Sequence, residues 1–258
     1  MDRKLALPLC RSRLLSEIPH VRHGITRRVE GLGKAHGNIG YSAPRDRDDA
    51  AAMRELWRLA LDLERSELTG VHQVHGADVF VVRPDTLALP VAPKADALIA
   101  AEPGVALLTL HADCMPIILC DPDAPAVATI HAGWRGTTLD IAGETVKRMV
   151  QEFGADPAGM TAFLGPSIGK CCYEVGTDVV DAWRDVYGSD VASAIRPHGD
   201  RWAFDLDKAN RWLLRRAGLS DDQIESSGIC TRCGGDDWFS HRGQGPLTGR
   251  FGSIVALV

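Results

Sequence analysis

Two stretches of this 258-residue chain set metal-capable side chains where an apolar run stops. In LLTLHADCMPIILCD, residues 107–121, one run ends in His111, Asp113 and Cys114, and Pro116 separates it from a second run. In AVATIHAGWRGTTLD, residues 126–140, another run ends at His131, ahead of a glycine-containing turn that carries Trp134 and Arg135. The end of a strand holds a side chain rigidly while leaving one side open. Imidazole and thiolate both bind zinc, and a catalytic zinc commonly keeps three protein ligands and one open position, where water loses a proton near neutral pH. His75, in VHQVHG, would complete such a set with Cys114 and His131. Spacing alone leaves other readings open: Cys114 as a packed cysteine in a turn, or as a nucleophile with His131 or His111 as its base. The turn at residues 132–136 leads into a helix and could offer N–H groups to an anion, with Arg135 adding a charge-assisted contact or simply lying in solvent.

The elements that must position these residues follow from periodicity. Residues 47–64 space Ala51, Leu56, Leu59, Ala60 and Leu63 as an amphipathic helix. Strands are expected at Asp78–Val82, Ala97–Ala100, Val105–Leu110, Ile117–Cys120, Ala126–Ile130 and Thr161–Leu164, with a closing strand at Ser253–Val258. Helices are expected at Thr138–Phe153, with Thr137 and Asp140 in capping-box spacing, and at Thr177–Val186 and Asp207–Ala217. Several strands follow one another directly. That order predicts an α/β (α+β) domain with a mixed sheet core rather than a regular βαβ array.

A formal net charge of −5 argues against nucleic acid or an anionic membrane as the main partner. The apolar patch in MDRKLALPLCRSRLL is too short for a signal core, and no run approaches the roughly 20 apolar residues of a membrane span. A cytoplasmic, monomeric protein acting on a small molecule is expected. Seven cysteines, an odd number, fit a reducing compartment better than a disulfide framework. CTRC, residues 230–233, is half of a structural zinc ribbon. Only the doublet Cys171-Cys172 could complete four thiolates, and the expectation is that it does not. GLGKAHG lacks the preceding strand of a dinucleotide fingerprint, and GPSIGKC is one residue short of a P-loop, with Cys171 where Ser or Thr would bind magnesium.

Taken together, QVHGADV, KADALI, HADCMPIILCD, HAGWRGT, GPSIGKCCYEVG and SHRGQGPLTGR resemble the YfiH family, whose members are also described as peptidoglycan editing factors, polyphenol oxidase (laccase-domain) proteins and purine nucleoside phosphorylases. The resemblance runs from residue 20 to the last residue, which makes residues 1–258 one catalytic domain with residues 1–19 as a lead-in. It implies a four-layer α-β-β-α fold and one zinc ion held by His75, Cys114 and His131, with copper only adventitious. It further implies phosphorolysis of adenosine, inosine or methylthioadenosine to base and (methylthio)ribose 1-phosphate, together with deamination of adenosine. An alternative within the family is a zinc amidase that removes L-Ser from UDP-N-acetylmuramoyl-L-Ser. Multicopper oxidation is not expected, since the chain has no His-x-His pair.

On this reading Asp113 is the candidate for proton transfer and Arg135 for positioning phosphate, while Asn38, Arg242 and Arg250 fall on substrate-contact positions. The arginines could equally pack over Trp238 or Phe239. One departure is Met53-Arg54, where the family commonly has Asn-Arg. Because VHQVHG leads into a strand, residues three apart should face opposite sides, so that His75 is the ligand and His72 a supporting or packing residue. A non-enzymatic alternative, a closed structural zinc, would need a fourth ligand such as His72 or His111.

Overall fold

A computed structural model describes residues 7–42, 45–87, 91–188 and 194–258. In chain order its elements are α1 (Arg13–Ser16), β1 (Val21–Ile25), α2 (Arg47–Ala60), β2 (Glu67–Gly70), β3 (Val79–Val81), β4 (Ala97–Ala100), β5 (Val105–His111), β6 (Met115–Asp121) and β7 (Ala126–Ala132). There follow α3 (Trp134–Thr138), α4 (Ile141–Phe153), β8 (Thr161–Leu164), β9 (Glu174–Val175), α5 (Thr177–Tyr187), β10 (Ile195–His198), β11 (Arg201–Phe204), α6 (Leu206–Arg216), β12 (Ile224–Ser226), α7 (His241–Gln244) and β13 (Phe251–Leu257).

Two mixed sheets form the centre, ordered β1-β13-β5-β2 and β12-β8-β6-β7-β4-β3, and a small β10-β11-β9 sheet lies apart from them. Alternation along each strand explains the stacking. In β6, Ile118 and Cys120 join a core shared with Leu107 of β5 and Val255 of β13, while Ile117 and Leu119 face Val146 and Met149 of α4 and Leu213 of α6. In β13, Val255 and Leu257 turn inward, whereas Ile254 and Ala256 pack with Met53 and Trp57 of α2. Strands buried on both faces read as continuous apolar runs, as these do. The layers are therefore α2, the four-stranded sheet, the six-stranded sheet, and α4 with α6, which is the expected four-layer mixed α/β arrangement.

Local chemistry shifted three expected boundaries. The helix expected over 47–64 starts behind Asp46, whose carboxylate accepts from the Asp48 and Asp49 N–H groups, and ends by Leu61 because Asp62 is left-handed (φ 59°). The helix expected from Thr138 is divided at Asp140, also left-handed (φ 60°), which caps α4 itself by accepting from the Gly143 N–H at 3.0 Å. The closing strand begins earlier, at Phe251, because Phe251 pairs with His111 at the end of β5. Within the expected lead-in, Ser12 donates to Glu225 Oε2 (2.7 Å), and Leu15 is fully buried in the core between the sheets.

His23 of β1 is buried, and its Nε2 accepts the Ser12 N–H at 2.9 Å. Burial, with Arg11 adding to it and Glu225 opposing, pushes this imidazole down from 6.5 to about 4. The unfolded chain binds the proton first, so neutral His23 contributes stability above about pH 6.5 that is lost as pH falls towards 4. The full linkage is on the order of 3 kcal/mol. Urea unfolding across pH 4–7 should show a falling midpoint on acidification, and His23→Gln should flatten that fall. An unchanged slope in the variant would remove His23 as its source.

Candidate active site

The ends of β5, β6 and β7 converge. His131 sits in β7 opposite Pro116 of β6, and Cys114 lies in the turn between β5 and β6, where Asp113 takes a positive φ of 94°. His75 arrives from the loop between β2 and β3, itself left-handed at φ 62°. One donor atom from each of His75, Cys114 and His131 lies within 4.8 Å of the others. Gly133 makes the convergence possible, since a Cβ there would fall 2.9 Å from Cys114 Sγ and 3.2 Å from His75 Cδ2. His131 is buried, Cys114 half-buried and His75 exposed, so the group is anchored at its base and open at its rim.

Asp96, fully buried just ahead of β4, organises this set. Its carboxylate accepts the N–H groups of Val74 (3.1 Å), His75 (3.0 Å) and Gly76 (2.7 Å), which fixes the left-handed loop. It also accepts from His131 Nδ1 at 2.8 Å, while its own carbonyl takes the His131 N–H at 2.7 Å. His131 therefore presents Nε2 to Cys114 and His75, an orientation that a carboxylate partner typically gives a metal-binding histidine. Burial pushes the Asp96 carboxyl up, but the His131 and backbone hydrogen bonds outweigh it and hold it below 3.8. Burial likewise raises the Cys114 thiol, yet His131 and His75 pull it down from 9.0 to about 6. His131, disfavoured as a cation by burial, is drawn up to about 9 by Cys114 and Asp96. A metal ion would displace the proton that Cys114 and His131 hold between them, leaving two imidazoles and a thiolate as donors, a set that suits zinc.

Neither proposed fourth ligand joins the group. His111 is turned away: Nδ1 donates to the Cys114 carbonyl (3.1 Å) and Nε2 lies 2.8 Å from Thr109 Oγ1. Burial and the neighbouring His131 hold it well below 6.5 and hence neutral. Behind it, Thr109, Thr129 and Ser253 continue a buried chain of hydroxyls between the two sheets. His72 is not a packing residue. It is exposed, and it lines the same cavity as His75. Alternation does not carry His72 and His75 to opposite sides, because the backbone is not extended at His75 (φ 62°).

Two cavities meet at Cys114. The larger, about 410 Å³, is lined by His75, His131, Tyr41, Arg54, His72 and Arg250, and the smaller, about 160 Å³, by Asp113, Tyr173, His241 and Arg242. Arg54 stands where the family's Asn-Arg pair has its arginine, the departure being at Met53. Its Nε donates to the Ile39 carbonyl (2.8 Å), and its guanidinium lies 3.7 Å from the Tyr41 ring centre. The adjacent Met53 packs with Trp57 in the core beneath α2, which accounts for an apolar side chain at that position. Arg250 Nη1 donates to the Thr248 and Gly249 carbonyls (both 2.9 Å). Asn38 is buried, and its Oδ1 accepts the N–H groups of Gly40 (3.1 Å) and Arg250 (2.8 Å), so it touches the cavity wall from behind.

On the other side, Asp113 accepts from Thr231 Oγ1 (2.7 Å) and the Arg242 N–H (2.6 Å), with both oxygens engaged. Arg242 is exposed, donates to the Glu174 carbonyl (3.0 Å) and stands 5.5 Å from the Tyr173 ring centre. Arg135 is exposed and stacked on Trp134 at 4.4 Å. The cation over Trp238 is Arg27, at 5.4 Å, rather than Arg242 or Arg250. Asp96 was the main residue missed. The signal was there in KADALI, an acid set directly against an apolar strand.

A family model described as multi-copper polyphenol oxidoreductase laccase matches residues 22–258. The chain is 37% identical over 189 residues to a protein of Xylella fastidiosa named purine nucleoside phosphorylase, covering 72% of this chain and 70% of that one. It is 35% identical over 247 residues to purine nucleoside phosphorylase YlmD of Geobacillus stearothermophilus, covering 88% and 89%. Among solved structures, that of the Bacillus licheniformis hypothetical protein YfiH is similar with a TM-score of 0.86 and 30% identity, covering 94% of each chain. Among the described residues, no helix is long and apolar enough to cross a membrane.

Removing the charge of Asp96 should loosen the donor set without removing a donor. For Asp96→Asn, a chelator-competition titration is expected to show metal affinity reduced about 10- to 100-fold, the usual cost of losing such a supporting partner. Wild-type affinity in that variant would show that Asp96 does not orient the donors.

Proposed function

The chain belongs to the multi-copper polyphenol oxidoreductase laccase family, and on that premise we propose that it is a zinc enzyme acting on purine nucleosides, holding the ion with His75, Cys114 and His131. The observation that carries this reading is the opening of the three donors into a cavity of about 410 Å³ whose wall contains two arginines, Arg54 and Arg250. That volume lies within the roughly 300–1,000 Å³ of small-molecule sites. Zinc bound there supplies a Lewis acid and lowers the pKa of water towards neutrality. Copper would bind the same donors only adventitiously.

The chain's own residues account for the rest. Braced by backbone carbonyls, Arg54 and Arg250 bind and orient a phosphate dianion, for which planar guanidinium groups are well suited. Asn38 keeps the Arg250 backbone in place, and the Tyr41 ring holds the Arg54 guanidinium at the cavity wall. A phosphate oxygen forms the bond to C1′ as the C1′–N9 bond breaks. The electron pair leaves with the base, the base takes up the proton that the phosphate dianion gives up, and ribose 1-phosphate remains. With water in place of phosphate and the purine C6 turned inward, adenosine loses ammonia to give inosine. Asp113 is assigned a positioning role, tying Thr231 and the Arg242 backbone to the turn that carries Cys114. Arg135 lines neither cavity, and Arg242 lines the smaller one, on the other side of Cys114 from Arg54 and Arg250.

A second reading rests on the lowered Cys114 thiol and raised His131 imidazole, the pairing of a cysteine nucleophile with its base. Metal dependence separates the two. Adenosine supplied with phosphate should yield adenine and ribose 1-phosphate, metal removal should abolish turnover, and zinc should restore it. Full turnover by metal-free protein that is lost on alkylation of Cys114 would favour the nucleophile instead. Arg250→Ala should raise the KM for phosphate about 10- to 100-fold, corresponding to roughly 1.5–3 kcal/mol of charge-assisted hydrogen bonding. An unchanged KM would place phosphate elsewhere.

A further inference from the structure

The four cysteines expected to remain apart are together. One loop, between β8 and β9, carries Cys171 and Cys172, and another, after β12, carries Cys230 and Cys233, and all four Sγ atoms lie within 4.8 Å of one another. Cys233 Sγ is 3.4 Å from Cys172 Sγ and 3.7 Å from Cys171 Sγ. None of the four forms a disulfide. Around a zinc ion with Zn–S bonds of about 2.3 Å, tetrahedral thiolates stand roughly 3.8 Å apart. The observed spacing suits one ion, whereas an iron–sulfur core would hold its thiolates further apart.

The surrounding backbone has the shape of a ligand cradle. Gly169 donates its N–H to Cys230 Sγ at 3.2 Å, and a Cβ at Gly169 would meet Cys230 Cβ at 3.1 Å and Cys171 Sγ at 3.3 Å. The Cys230 turn is closed by the Gly234 N–H on the Cys230 carbonyl (3.0 Å). Cys171 and Cys233 are exposed, which gives an ion access from solvent. Lys170 and Arg232 flank the ligands in sequence, and the Lys170 ammonium pairs with Asp205 at 3.1 Å.

We infer that Cys171, Cys172, Cys230 and Cys233 form a second metal site, a closed four-thiolate centre for a single zinc ion, separate from the His75, Cys114 and His131 group. All four coordination positions are filled by protein, so the site is structural rather than catalytic. Binding forms four Zn–S bonds as four S–H bonds give up their protons to solvent, with no change of oxidation state. Its effect is to staple two loops that are distant in sequence. Ser167 accepts the Thr231 N–H at 2.9 Å, Ile168 donates its N–H to the Asp113 carbonyl at 2.9 Å, and Thr231 Oγ1 donates to the Asp113 carboxylate at 2.7 Å. The ion would therefore hold the wall of the smaller cavity from outside.

Metal counting by mass spectrometry on the full chain, purified under reducing conditions and loaded with zinc, tests this. Wild type should hold two ions per chain. Cys114→Ala should hold one, and Cys171→Ser/Cys172→Ser should hold one and melt at a lower temperature. Cobalt loaded into Cys114→Ala should give the strong sulfur-to-metal charge-transfer bands of four thiolates, a readout independent of whether the cysteine double variant folds. One ion in wild type and none in Cys114→Ala, or charge-transfer bands absent from cobalt-loaded Cys114→Ala, would overturn the assignment. So would a disulfide among the four that persists under reducing conditions. Loss of nucleoside cleavage alone bears only on the other centre.

Discussion

The carboxylate of Asp96 is the point on which the site depends. A buried acid is costly unless its lone pairs are taken up, and here three consecutive N–H groups and an imidazole take them up. The same bonds bend the Val74–Gly76 loop into a left-handed turn at His75 and fix the ring of His131. Two of three donors, from segments far apart in sequence, are thus aligned by one side chain. Cys114 has only to be delivered by the turn between β5 and β6.

That delivery relies on the layers beneath. β5 belongs to the four-stranded sheet and β6 to the six-stranded sheet, so the turn carrying Cys114 crosses from one layer to the other. The crossing is pinned by His111, which is hydrogen-bonded to the Cys114 carbonyl and stacked on Phe251 at 5.6 Å. The hydroxyl chain from Thr109 through Thr129 to Ser253 joins β5, β7 and β13 across the sandwich. A satisfied polar chain in an apolar interior fixes the relative placement of the sheets more sharply than methyl packing would.

Much of this was legible in the sequence. The runs 105–110, 117–120 and 126–130 read as strands because both of their faces are buried, and chemistry at their ends marked the site. The edge strands β2 (ELTG), β9 (EV) and β12 (IES) hold a single apolar residue each, too little for a strand pattern to register. His72 was misplaced because alternation holds only for extended backbone, and a positive φ at His75 depends on Asp96 from another segment. Asn38 bonds to Gly40 within its own segment, but the bond it accepts from the Arg250 N–H was not legible, because it joins segments far apart in sequence. The four cysteines could not be joined by spacing, because the parallel bridge between Ser167 and Cys230 that brings them together is a tertiary fact.

β13 lies between β1 and β5, inside the four-stranded sheet rather than at its edge. During synthesis, β1 and β5 leave the ribosome long before the strand that joins them. Until then each exposes a row of unpaired backbone groups, which is the condition under which strands pair with the wrong neighbour. Because Phe251 pairs with His111, the turn that presents Cys114 also gains its final support only when this late strand inserts. The order of translation thus withholds the finished turn at Cys114 from any nascent chain that has not yet produced β13.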